Sequence, residues 1–234
     1  MKTKLYSKDI NVDSTHISLK SDLDYNIIPF IEKQRQIITD EIRINPDFIK
    51  YKPIPLIHKE KILEHMTYAG KISDTGPMSS VAGSVSEVCL EEFIKRGSKF
   101  SIIENGGDIA LKTERKVILG IYAGESVFSY EIGLKIKPKP KGYGICTSSC
   151  AGPSKSFGLT DATIVFSNQS SVADSLATCI GNYGNGDSDE EIINNSLEKA
   201  EEYSEYFEGV LVIKGDTLGK TGHIPKLVKT RNKH

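Results

Sequence analysis

Three blocks of small residues constrain this chain more than anything else in it. They are Gly76–Glu87 (GPMSSVAGSVSE), Glu104–Leu111 (ENGGDIAL) and Ser171–Asn182 (SVADSLATCIGN). Small residues add little core volume and let backbone or a ligand come close. Each block adjoins a strongly apolar segment, so the three read as walls of one ligand site. The third block places Asp174 and Thr178 one helical turn apart, so two oxygens project from one face. That pattern is a partial site for a hard cation.

A chain of 234 residues fits one large domain or two small ones. Hydrophobic residues make up 38% and charged residues 26%, which suits a globular fold with a real core. The net charge of −1 gives no argument for a nucleic-acid or membrane partner. No apolar run of about 18 residues stands in the sequence, and the N-terminus lacks an apolar signal core. A cytoplasmic protein is the expectation. The basic residues Lys226, Lys229, Arg231 and Lys233 read as a frayed tail from about residue 225.

Alternation in His16–Lys20 predicts a strand. Asp22 or Asp24 then caps an amphipathic helix over Tyr25–Asn45, with Ile27, Ile28, Ile31, Ile37, Ile38 and Ile42 at helical spacing. Pro46–Glu60 holds three prolines and reads as a loop. Gly76-Pro77 opens a second helix, ended by Gly97. Its free N–H groups could bind an anion. Phe100–Ile103, the turn Asn105-Gly106-Gly107 and Asp108–Leu111 give a hairpin. Val117–Ala123 and Ser129–Lys137 continue as strands, and Lys137–Lys141 reads as an exposed connection. Gly142–Lys155, rich in Gly, Ser and Thr, reads as an ordered functional loop or a strand edge. Asp161–Ser167 is a strand, and Ser170 or Ser171 caps a helix to about Ile180. Ser188 caps another over Asp189–Phe207. Val210–Lys214 and Thr217–Gly222 pair across Gly215-Asp216. The whole reads as one α+β domain, a mainly antiparallel sheet with helices on one face.

Cys89 and Cys179 sit on apolar helical stripes and read as buried small hydrophobes. Cys146 and Cys150 form Cys-x3-Cys within the Gly/Ser segment. They are either two unrelated thiols or a redox, persulfide or metal pair. No His/Cys cluster at zinc spacing accompanies them. His65, the one histidine near a proposed site segment, reads as structural.

Four motifs, in order between about residues 70 and 183, carry a family resemblance. Asn105-Gly-Gly-Asp108 resembles the Asn-x-Gly-Gly-Asp turn of the ApbE-like superfamily, whose founding activity is FAD:protein FMN transfer. Ala173-Asp-Ser-Leu-Ala-Thr178 is similar to that superfamily's Ala-Asp-Ala-Leu-Ala-Thr helix start. Gly76–Gly83, Cys146–Ser149 and Ser154–Gly158 resemble motifs of its small, uncharacterised branch found in anaerobic archaea and bacteria. The resemblance implies an ApbE-like, T-fold-related domain over residues 1–234. It implies Mg2+ held by Asp174, Thr178 and a carbonyl near Val81. It also implies a flavin or nucleotide contacted by Gly76, Pro77, Met78, Asn105, Gly106, Gly107, Asp108, Thr147, Ser148, Ser149 and Ser156.

The chain departs from the transferases in two motifs. Ala82 stands where they carry a charged residue, and Ser156-Phe157-Gly158 replaces their His-x-x-Asp-Pro. Three functions follow as expectations. The first is a Mg2+-dependent transferase acting through Asp174. The second is a sulfur-handling protein in which an activated thiolate forms a persulfide on Cys146 or Cys150, serving homocysteine or cysteine biosynthesis, as suspected of this branch. The third is a non-catalytic ligand-binding module. A small-molecule ligand and, by analogy with T-fold relatives, a homodimer complete the expected partners.

Overall fold

The computed structural model describes residues 4–55, 59–150 and 156–230. In chain order the strands begin with β1 (Tyr6–Val12), β2 (Thr15–Ser21), β3 (Ser101–Asn105), β4 (Asp108–Thr113) and β5 (Val117–Gly120). They continue as β6 (Ile132–Ile136), β7 (Lys139–Ser148), β8 (Ala162–Ser167), β9 (Gly209–Lys214), β10 (Thr217–Gly222) and β11 (Lys226–Lys229). The helices are α1 (Ile28–Ile44), α2 (Lys61–Ser73), α3 (Val81–Lys95), α4 (Ser170–Asn182) and α5 (Asp189–Glu201). An eight-stranded sheet runs β1-β2-β3-β4-β7-β8-β9-β10, every neighbouring pair antiparallel. A second, antiparallel sheet runs β11-β6-β5.

The large sheet is the middle of three layers. Alternation on its strands sorts side chains between the two outer layers. On β2, Ile17 and Leu19 are buried while His16, Ser18 and Lys20 are exposed. Ile10, Ile17, Leu19, Ile103 and Ala110 pack under α1–α3 with Ile31, Met66 and Phe93. Farther along the same face, Cys146, Val165, Val210 and Val212 meet Val172, Leu176 and Ile180 of α4. The opposite face, with Leu111, Ile145, Ile164, Phe166 and Leu211, packs on Leu134 and Ile136 of the small sheet. β8 and the first five residues of β9 are buried, because both of their faces are covered. Each fully buried large aliphatic side chain there contributes about 1.5–3 kcal/mol. The α+β architecture expected from the sequence is the one present.

Several elements differ from the sequence expectation, each for a physical reason. α1 begins at Ile28, with Pro29 in its first turn and no side-chain cap. Asp22 is used elsewhere: it accepts from Ser98 Oγ at 2.6 Å and from the Lys99 N–H at 3.1 Å. Asp24 pairs with Lys8 at 2.6 Å. β1 and α2 carry no sequence expectation, yet β1 completes one edge of the sheet and α2 packs on α4. Of Gly142–Lys155, expected as an ordered loop or a strand edge, residues 142–148 are the C-terminal part of β7, an internal strand hydrogen-bonded to β4 and β8, and residues 151–155 lie outside the described residues. The expected exposed connection is cut short because β7 starts at Lys139. α5 ends at Glu201 rather than Phe207. The expected tail is corrected too: Lys226–Lys229 forms β11, in register with Ile132–Lys135.

Gly144 explains the small residues of β7. A Cβ there would lie 2.5 Å from Ser170 Cα and 2.6 Å from Ser170 N. Only glycine lets the start of α4 settle on this strand. Gly120, by contrast, has open space where its Cβ would project. Gly144→Ala should therefore destabilise the protein by roughly 1–3 kcal/mol, and Gly120→Ala by no more than about 0.5 kcal/mol. Urea unfolding followed by circular dichroism measures the contrast.

Candidate functional site

α3 and α4 approach so closely that a Cβ on Gly83 would fall 2.5 Å from Ser170 O and 2.7 Å from Asp174 Cβ. Gly83 lies in the first turn of α3, where backbone N–H groups lack an intrahelical acceptor. Its N–H donates to Asp174 Oδ2 at 2.7 Å. Asn105 Nδ2 donates to Ala82 O at 3.4 Å. Ser86 Oγ donates to Asp108 O at 2.9 Å. Three contacts thus tie the first small-residue block to the other two. A fourth runs from α3 to the start of α4, where Glu87 Oε2 accepts the Ser171 N–H at 2.8 Å. A carboxylate suits that position because the helix dipole places partial positive charge there.

Two carboxyl groups are buried under this junction, Asp108 at 1% exposure and Asp174 at 2%. Asp108 Oδ1 accepts the Thr147 N–H at 3.2 Å. Asp108 Oδ2 is buried with no hydrogen-bond partner among the described residues. Burial raises the Asp108 pKa well above the usual carboxylate range, and the Asp174 charge raises it further. Burial pushes Asp174 up to about 7, against the lowering effect of the Gly83 N–H. Neither group ionises cheaply beside the other in a dry site. Hard oxygen donors, one left unsatisfied and neither with a cationic side chain among the described residues acting on it, fit a hard divalent cation.

The sequence-derived site residues divide into several places. Asn105, Asp108 and Asp174 sit at the helix–sheet junction. Thr178 lies one turn beyond Asp174 on α4 and is half-buried. Val81 opens α3 with its side chain on the N-terminal core. Gly106 and Gly107, at φ of 64° and 100°, make the β3–β4 turn. With Thr147 and Ser149 they line a cleft of about 140 Å³ between the two sheets. Its other wall holds Leu119, Ile121, Tyr122, Tyr130 and Leu134. Ser148 is buried near the end of β7.

Gly76, Pro77 and Met78 lie away from the acidic pair's hydrogen bonds. A Cβ on Gly76 would strike Lys50 O, Pro77 is buried, and Met78 packs on the N-terminal core. The helix start at Pro77 is a short 3-10 turn, and Ser79 Oγ donates back to Gly76 O at 2.8 Å. Ser156 packs against Gly181. That glycine is about 10 Å along α4 from Asp174, at 1.5 Å per residue. Residues 154 and 155 of the fourth motif lie outside the described residues.

Cys146 corrects the thiolate expectation. It is wholly buried on β7, with Sγ 3.2 Å from Ser170 O and 3.3 Å from Ser170 Oγ. Burial raises its pKa well above the ordinary thiol value, and the Asp108 and Asp174 charges raise it further. No thiolate is activated there. Cys150 is exposed. Cys89 and Cys179 are buried, as their helical stripes suggested.

Sequence reasoning left three contributors unassigned. Glu87 anchors α4, and Tyr122 and Tyr130 stand at the cleft, their ring centroids 5.5 Å apart. Tyr130 has a φ of 59°, which nothing in its local sequence demands. Glu87 carried one available signal, as the one acid in the first small-residue block. Burial opposes charge on His65, and the neighbouring Glu91 and Glu87 carboxylates outweigh it, raising its pKa.

The fold and the family match define an ApbE-like protein. The chain aligns with the flavinyl transferase ApbE of Pseudomonas stutzeri at a TM-score of 0.56 and 10% identity, covering 93% of this chain and 94% of that one. It aligns with the flavin transferase ApbE of Vibrio cholerae at 0.55 and 10% identity, covering 93% and 96%. Likeness at that identity shows the fold. The chain belongs to the family described as AbpE bacteria, whose model matches residues 8–223. It is 63% identical to a UPF0280 protein of Methanosphaera stadtmanae, over 100% of this chain and 96% of that protein. A UPF0280 protein of Methanococcus aeolicus is 45% identical over 97% of this chain and 94% of its own length. Among the described residues, no helix is long and apolar enough to cross a membrane.

Two predictions follow from the site. The Asp174 pKa is raised on folding, so the folded state binds the extra proton. Its stabilising effect is full below pH 4 and is lost as pH rises through about 7. In chelator, wild-type melting temperature should fall across pH 4–8 relative to Asp174→Asn, and differential scanning fluorimetry reads the difference. Iodoacetamide on the native protein should label Cys150 and spare Cys146, as peptide mass spectrometry resolves.

Proposed function

We propose that this chain binds the phosphate-bearing part of a flavin or nucleotide together with Mg2+, and that it works as a transferase of the ApbE type. One observation carries the reading: two buried carboxyl groups, one with an unsatisfied oxygen, meet where the three small-residue blocks converge. Asp174 and Asp108 would hold the ion, with Thr178 and a carbonyl near Val81 as further oxygen donors. When bound, Mg2+ supplies positive charge against a pyrophosphate and favours displacement there.

The chain's own groups do the positioning. The Gly83 N–H fixes Asp174, and the Thr147 N–H fixes Asp108. Preset carboxylates cost little reorganisation when a cation arrives. The Gly106-Gly107 turn has no side chains to hold a ligand off the sheet. Thr147 and Ser149 supply hydroxyls in the cleft, and Tyr122, Tyr130, Leu119 and Ile121 give a flat ring system an apolar and aromatic wall. The buried thiol of Cys146 gives no support to persulfide chemistry on that residue.

Isothermal calorimetry with FAD and ADP, with and without Mg2+, tests the reading. Binding should require Mg2+ and be lost in Asp174→Ala. Equal affinity with and without the ion, or no binding to either compound, refutes it. Consumption of FAD on incubation with Mg2+ and protein substrate would separate transfer from binding alone.

A further inference from the structure

A second cluster of chemistry-bearing side chains lies between α2 and α3, built from residues the acidic pair does not use. His65 projects from α2; Glu87 and Glu91 stand one turn apart on α3. One ligand atom from each of the three lies within 4.8 Å of the others. His65 Nε2 is 3.4 Å from Glu91 Oε1, and the His65 side chain is only 11% exposed. That nitrogen is buried and makes no hydrogen bond among the described residues. The Glu91 contact is long for a hydrogen bond and is an ion pair only when the imidazole is protonated; a neutral imidazole nitrogen beside two carboxylates is a donor set that a cation completes.

We propose that His65, Glu87 and Glu91 form a binding site for one divalent first-row transition-metal ion, with Zn2+ as the probe. One imidazole and two carboxylates are donors that Zn2+ accepts, whereas Mg2+ prefers oxygen ligands and water. Glu87 is oriented for the role, because its Oε2 is held by the Ser171 N–H at 2.8 Å. That hydrogen bond is the kind of outer support that fixes a metal-binding carboxylate. Three protein ligands leave a coordination position for water or a further ligand. Lys61 Nζ, 2.7 Å from Glu91 Oε1, competes with the ion for that carboxylate. Its side chain is 60% exposed and can swing into solvent. A bound ion would join α2 to α3 and, through Glu87, to the start of α4.

The test uses the full chain, stripped with chelator, in a Cys150→Ser background and saturating Mg2+. The background removes the exposed thiol, and Mg2+ keeps the Asp108–Asp174 pair, the proposed Mg2+ site, from competing for the probe. Calorimetric titration with Zn2+ should show one saturable ion per chain. His65→Gln and Glu91→Gln should each weaken it by at least about 100-fold, more than loss of an outer partner does. Lys61→Met should tighten it, and Asp174→Asn should leave it unchanged. Zinc X-ray absorption should show nitrogen and oxygen ligation that includes imidazole. Circular dichroism identifies variants that fold, and the half-exposed Glu91 gives the more tolerant substitution. No saturable uptake, uptake indifferent to both Gln variants, or uptake lost with Asp174→Asn overturns the proposal.

Discussion

The hydrogen bond from the Gly83 N–H to Asp174 Oδ2 is the contact on which the rest of the site depends. It exists because Gly83 and Gly144 have no side chains, so α4 can descend onto both α3 and β7. With any larger residue at either glycine, the Asp174 carboxyl would be carried away from the α3 backbone. The bond also satisfies a first-turn N–H of α3, a donor the helix itself leaves unpaired. The Glu87 carboxylate makes the reciprocal connection, from α3 to a first-turn N–H of α4. Two helices therefore begin on each other's acids, above the centre of the large sheet.

Burying acids this way sets the electrostatics of the region. Asp108, Asp174 and Cys146 share one dry volume, and burial raises the pKa of each. For the thiol this means inertness. For the carboxyl pair it means an unmet demand for positive charge. The same small residues thus serve packing and chemistry together: they let the helices close, and closure leaves the carboxylates dry. On the opposite face of the sheet, Thr147 links the acidic pair to the inter-sheet cleft. Its N–H holds Asp108 while the residue itself lines the cleft.

Much of the architecture could be read along the chain. Period-two alternation marked β2, the Asn-Gly-Gly turn marked the β3–β4 hairpin, and apolar stripes marked α1, α3 and α4. Element ends were less legible. Asp22 looked like a helix cap, yet it serves the α3–β3 connection, because Ser98 and Lys99 arrive beside it from 76 and 77 residues away. The second half of β7 read as a loop or a strand edge because Gly is depleted from strands and Gly/Ser clusters are turn signals. Neighbouring strands on both sides supply the hydrogen bonds that override this preference. The charged residues of β11 looked like a frayed end, and pairing with β6 likewise orders them.

The sequence by itself determined the fold class, the convergence of three small-residue blocks, and Asp174 as the acid of the third. Those are local properties: periodicity, residue volume and spacing within one helix. Only the tertiary structure decided that Asp108 is the second buried acid and that Cys146 is sealed. It also decided that Glu87 caps α4, that tyrosines wall the cleft, and that His65 faces two glutamates. Each of these depends on which distant segment covers a residue and which charge lies beside it. Burial and Coulomb interaction act through space, and linear order does not encode them.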